Sequence, residues 1–187
     1  MAVQNIDLIE AAMARILRFG FAKTTMIDIA REAGVSRQTL YNSYATKEEM
    51  ISAVVLHEGE VTIADVEGRW EKAESLGEKL DIFFARVPLR WYDLIAGSPE
   101  AAELTDAVDG VAKAARNTVL ERWAMVIEAL LEESYPNMEG GPAVRAALAE
   151  FIFSTAMNAK RDAATRSVLE RRLSVLKLCV LSIVEDT

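Results

Sequence analysis

Apolar residues recur at intervals of three and four through most of this chain and nowhere alternate long enough to make a convincing strand. Ile6, Ile9, Met13, Ile16 and Leu17 predict a helix over 6–20, with Gly20 as its stop. Met26, Ile29, Ala30 and Ala33 predict a second, capped by Thr24 or Thr25 and ended by Gly34, with Val35 as an apolar plug for the bend. A third helix starts at Ser36, runs to about residue 42 and has only Leu40 to bury. Thr46-Lys47-Glu48-Glu49 is a capping box that opens a fourth helix, expected to reach residue 69 with Met50, Ile51, Val54, Val55, Val61 and Val66 as its apolar side. A helix over 75–95 is apolar on most sides, through Leu76, Leu80, Ile82, Phe83, Phe84, Val87 and Trp91; Pro88, which lacks an N–H, predicts a kink or break near Val87. Pro99 opens a short helix ending near Gly110, and longer helices follow over 111–135, 143–163 and 167–185, with a Pro- and Gly-bearing loop at 136–142. The fold class expected is all-α.

Residues 24–47 stand out because two short helices about a tight turn leave so many polar side chains without an inward job. Arg37, Gln38, Thr39 and Tyr41 surround Leu40 on the short helix that begins at Ser36. Arg and Gln suit guanine and adenine edges in a major groove, Thr suits a thymine methyl or a phosphate, and Tyr can donate to a phosphate oxygen.

Gly20-Phe21, Thr24-Thr25, Ile29-Ala30, Ala33-Gly34-Val35-Ser36, Leu40-Tyr41 and Lys47-Glu48 fall in the order and spacing of the DNA-binding domain of TetR-type (tetracycline-repressor-like) bacterial regulators, which this stretch resembles. About ten agreeing positions in one window make the match specific, although it covers only the first quarter to third of the chain. Gln38 stands where the family often has a small residue, Asn42 and Ser43 where it has bulkier or basic ones, and Tyr44 in place of Phe. The resemblance implies a helix-turn-helix DNA-binding domain over 1–46 and a helical effector-binding and dimerisation domain over 47–187. It places Thr24, Thr25, Ser36, Arg37, Gln38, Thr39, Tyr41, Asn42, Tyr44 and Lys47 at DNA, with Lys47 on a phosphate. The fourth helix, as a lever, is expected to transmit ligand binding to the reading head.

Charge changes the picture by where it falls. The net charge is −8, yet residues 1–57 hold six basic side chains (Arg15, Arg18, Lys23, Arg31, Arg37, Lys47) and six acidic ones, so the deficit belongs to the remainder. A neutral reading head binds DNA if its cations face phosphates, and an acidic remainder limits non-specific binding. One cysteine, Cys179, fits a reducing compartment, and one histidine, His57, argues against a metal site. The opening residues lack the basic segment of a signal peptide, and no apolar run reaches the ~20 residues of a membrane span, so a cytoplasmic protein without membrane or cofactor is expected.

The last two helices carry more apolar surface than one core needs. Leu169, Leu173, Leu176, Val180 and Ile183 form one stripe of the final helix, and Val168, Val175 and Cys179 extend it onto a neighbouring side. The family resemblance implies a homodimer built on these helices, and Phe151, Met157, Leu169, Leu173, Leu176 and Val180 are its expected contacts. The resemblance also implies a pocket for a small-molecule effector, for which Phe84, Arg86, Trp91, Asn117, Trp123 and Asn158 are candidate lining residues. Two other readings compete: a DNA-bound protein of this fold controlled by a protein partner, and a helical metal-carboxylate enzyme. The enzyme reading lacks a Glu-x-x-His, a His-Glu-x-x-His and a phosphate-cradling glycine loop. A repressor released from a pseudo-palindromic operator by its effector is the leading expectation, with an activator as the same parts run in reverse.

Overall fold

The computed structural model describes residues 5–97 and 110–185, and among these every regular element is helical. The helices are α1 (Asn5–Phe19), α2 (Met26–Glu32), α3 (Arg37–Ser43), α4 (Lys47–Trp70), α5 (Leu76–Phe84), α6 (Arg90–Ala96), α7 (Lys113–Ser134), α8 (Gly141–Ala159) and α9 (Arg166–Glu185). The short helix expected over 99–110 lies almost wholly outside the described residues. Two compact units emerge, one bounded by Met1–Glu60 with Leu94–Val119 and the other by Val61–Asp93 with Leu120–Thr187.

In the first unit, α1 buries Leu8, Ala12 and Ile16, α2 buries Ile29 and Ala30, α3 buries Leu40, and α4 adds Met50, Ile51 and Val54. These small helices share one core because none has a wide enough apolar face to stand alone. Gly59 lets α7 approach α4: a Cβ there would lie 2.7 Å from a methyl of Val119.

In the second unit the rings of Phe83, Trp123 and Phe153 meet at centroid distances of 5.3 to 6.0 Å, with Trp123 and Phe153 stacked. Leu80, Ile127, Leu131, Ile152, Leu169 and Leu173 complete this core. Polar ties hold the helices in place: the Trp70 indole donates to the Lys79 carbonyl at 2.7 Å, Arg145 pairs with Glu132, and Arg166 pairs with Asp93.

The interruption expected near Val87 is a π turn over Ala85–Leu89, which joins α5 to α6. Three other expectations change. Val61 is half exposed, while Thr62 and Ile63 are buried, since the seam through Val54, Thr62, Val66 and Trp70 passes one residue to its side. The loop before α8 ends at the N-cap Gly140, so that Pro142 sits in the helix's first turn. Most consequentially, Leu169, Leu173, Leu176 and Val180 are buried in their own unit, so the stripe expected at a dimer interface is core. The outward apolar side of α9 is Val175, Leu178 and Ile183, the first two 60% and 65% exposed. Of the other expected contacts, Met157 is half-buried and Phe151 is exposed.

Candidate nucleic-acid interface

The reading head is built from caps. Thr25 is the N-cap of α2: its hydroxyl accepts from the Asp28 amide at 3.2 Å, and Asp28 in return accepts from the Thr25 amide and hydroxyl at 3.1 and 2.6 Å. These bonds, with Arg15 and Arg31 nearby, hold the Asp28 carboxyl below its ordinary pKa against a smaller opposing push from desolvation. The helix ends in a Schellman turn, in which the Val35 amide donates to Ala30 and that of Gly34 to Arg31, with Gly34 at φ 67°. Ser36 then caps α3 by accepting from the Thr39 amide at 3.1 Å, and the Ser36 and Thr39 hydroxyls lie 2.8 Å apart.

Because Leu40 is the buried residue of α3, the helix is anchored on one side and open on the rest. Ser36, Arg37, Gln38, Thr39, Tyr41 and Asn42 are all exposed, and Thr25 is exposed at the start of α2. Gln38 and Asn42, one turn apart, are joined by a 2.8 Å bond from the Gln38 amide nitrogen to the Asn42 carbonyl oxygen. Tyr44 ends the helix half-buried, and burial raises its phenol pKa.

Two residues expected at DNA have internal partners. Thr24 is buried, its hydroxyl donating to the Gly20 carbonyl at 2.8 Å, and so holds the α1–α2 turn. Lys47, in the first turn of α4, donates to the Phe21 carbonyl, and its ammonium sits 3.9 Å from the centre of the Phe21 ring. Burial there lowers the Lys47 pKa, opposed by the charge of Glu48. The capping box predicted at this helix start is present in altered form: Thr46 accepts from the Glu49 amide, while Glu49 reaches back to the amide of Ala45.

Residues 8–54 match the family profile described as bacterial regulatory proteins, tetR family. They form the helix-turn-helix domain of the TetR-type regulators. Most of the chain also superposes on solved regulators. It is similar to a transcriptional regulator from Cytophaga hutchinsonii (19% identity, 94% of this chain and 95% of that one, TM-score 0.70). It is likewise similar to a TetR-family regulator from Pectobacterium atrosepticum (19%, 95% and 92%, 0.70). A third likeness is to the regulator FadR from Bacillus subtilis in complex with stearoyl-CoA (19%, 92% and 97%, 0.60). At such identities the likeness establishes the shared fold. With the profile match, what is shown is a TetR-like helical fold whose residues 8–54 carry the family's DNA-binding domain.

Of the residues expected around an effector, Asn117 falls in the first unit and the other five in the second. Phe84 and Trp123 are buried in the aromatic core, Trp91 is half-buried, and Asn117 and Asn158 are exposed. Arg86 lies in a polar recess of about 90 Å³ with Val61, Thr62, Asp65 and Arg90. Its guanidinium meets the Asp65 carboxylate at 2.6 Å. Desolvation would raise the Asp65 pKa, but hydrogen bonds and charge from Arg86 and Arg69 prevail and lower it. Sequence reasoning singled out Arg86 and missed Thr62 and Asp65. The three-residue spacing of those two along α4 marks one helix side, but no local pattern pairs Asp65 with an arginine twenty-one residues on or Thr62 with one twenty-eight residues on. Among the described residues no helix is long and apolar enough to cross a membrane, and no group of three or more His, Cys, Asp or Glu is placed to hold a metal.

Proposed function

We propose that this chain is a TetR-type regulator, a repressor that binds a pseudo-palindromic operator as a homodimer and leaves it on binding a small apolar effector. The observation that carries operator binding is α3 itself, a capped helix pinned by Leu40 that offers Arg37, Gln38, Tyr41 and Asn42 to solvent. These are groups that read base edges and phosphates, with Thr25 and Ser36 at the flanking caps. Lys47 contributes by stapling α4 to the α1–α2 turn.

Homodimerisation is supported by exposed apolar side chains on α8 and α9: Phe151 is 49% exposed, beside the still more open Val175 and Leu178. Water-facing residues of that size on neighbouring helices suit a second copy, and operator half-sites about one DNA turn, ~34 Å, apart require two heads. The acyl-CoA held by the B. subtilis FadR structure favours a lipophilic effector. To reduce DNA binding a hundredfold the effector needs a preference of only about 2.7 kcal/mol for the released state.

In vitro selection from a random duplex pool, followed by titration with lipophilic compounds, tests the reading. Enrichment of a two-part inverted repeat and its release by such a compound is the expected result. Recovery of unpatterned DNA would overturn it.

A further inference from the structure

We propose that Gln38, held by Asn42, reads an adenine in each operator half-site and rejects guanine there. The inference rests on the base-reading function above and concerns what the bond between these two amides leaves free. A glutamine amide has two N–H donors and one carbonyl acceptor. One N–H is committed to the Asn42 carbonyl oxygen at 2.8 Å. What remains is a single N–H beside a single carbonyl oxygen, both on an exposed side chain. Adenine presents the complementary pair in the major groove, an N7 acceptor beside the N6 amino donor. Guanine presents two acceptors, N7 and O6, so the Gln38 carbonyl would meet O6 with no proton between them. A free glutamine could turn its amino group toward both; one tethered to Asn42 has lost that option.

The other polar groups on α3 sharpen the assignment. The Ser36 and Thr39 hydroxyls are engaged with each other, and that of Ser36 also takes the Thr39 amide. Arg37, with donors alone, suits guanine or phosphate. The braced amide pair is therefore the α3 group built for adenine, and Asn42 is a positioning residue that keeps its own amide donors for a neighbouring acceptor.

The test takes the duplex selected by the wild-type protein and compares affinities, by fluorescence anisotropy, for that duplex and for versions with each A·T pair changed to G·C. Wild type should show one A·T position per half-site where the change weakens binding about 10- to 100-fold. Gln38→Ala should reduce that penalty to less than about threefold at this position only. Asn42→Ala should keep the adenine preference but shrink the penalty for guanine. Both side chains are exposed, so thermal melting should show each variant folded. A selected motif whose every A·T penalty survives Gln38→Ala overturns this inference and leaves operator binding standing. Failure to select any motif overturns operator reading itself, and this inference with it.

Discussion

At the first turn of α4 the Lys47 ammonium is hydrogen-bonded to one carbonyl and seated on one ring, both belonging to Phe21. A cation so engaged near the reading helix contributes geometry before it contributes charge. Replacing Lys47 with Met should lower stability by about 1.5–3 kcal/mol, the scale of a hydrogen bond to a charged group. The slope of log affinity against log salt should stay unchanged; a slope shallower by about one charge per head would instead place the ammonium on phosphate. Asp28 makes a second residue-level prediction. Its folded-state pKa lies below the usual 3.8, so its ionised form stabilises the head above that value and the contribution fades as pH falls through the folded-state pKa. Melting curves from about pH 5 to 2.5 should show Asp28→Asn less stable than wild type at the upper end and less sensitive to acid at the lower.

Among the elements, the turn between α2 and α3 was the most legible in sequence, because its chemistry is local. The sequence marks Gly34 as a helix stop between Ala33 and Val35 with a serine cap to follow, and its φ of 67° follows from those same neighbours. No heavy atom lies within 4 Å of where its Cβ would be, so Gly34→Ala tests backbone strain alone and should cost about 1–2 kcal/mol in a denaturant melt. The long helices were legible in kind but not in facing. On α9 two apolar stripes run side by side, and periodicity says that both exist without saying which one its own core takes. The structure buries Leu176 and leaves Leu178 out. Leu178→Glu should therefore yield a folded monomer by sedimentation, whereas Leu176→Glu, which puts a charge in the core, should fail to fold. A folded, still dimeric Leu178→Glu would remove α9 from the interface. Pro88 shows the same limit: its missing N–H foretold an interruption, but a π turn rather than a break depends on packing around Val87 and Pro88 that no local pattern records.

For the molecule as a whole, the division of charge sets how strongly it holds DNA of any sequence. Residues 1–57 carry six cations and six anions and so sum to zero, which leaves the whole −8 in the rest of the chain. The structure reduces the cations further: Arg15 pairs with Asp28 and Glu32, and Lys47 is taken by Phe21. Arg18, Lys23, Arg31 and Arg37 remain exposed in each head, with Arg31 already 3.8 Å from Asp28. A dimer has at most eight such charges to set against phosphates, and each releases about 0.9 counterion on duplex DNA. The salt slope should therefore be no steeper than about −7 on the operator. On random DNA, where register is lost and fewer cations reach phosphate together, it should be shallower still, with affinity falling away at physiological salt. A steeper slope on both would mean that cations outside the head, such as Lys160, Arg161 or Arg171, bind the duplex as well. Discrimination would then owe less to base reading by α3 than the neutral charge of the head implies.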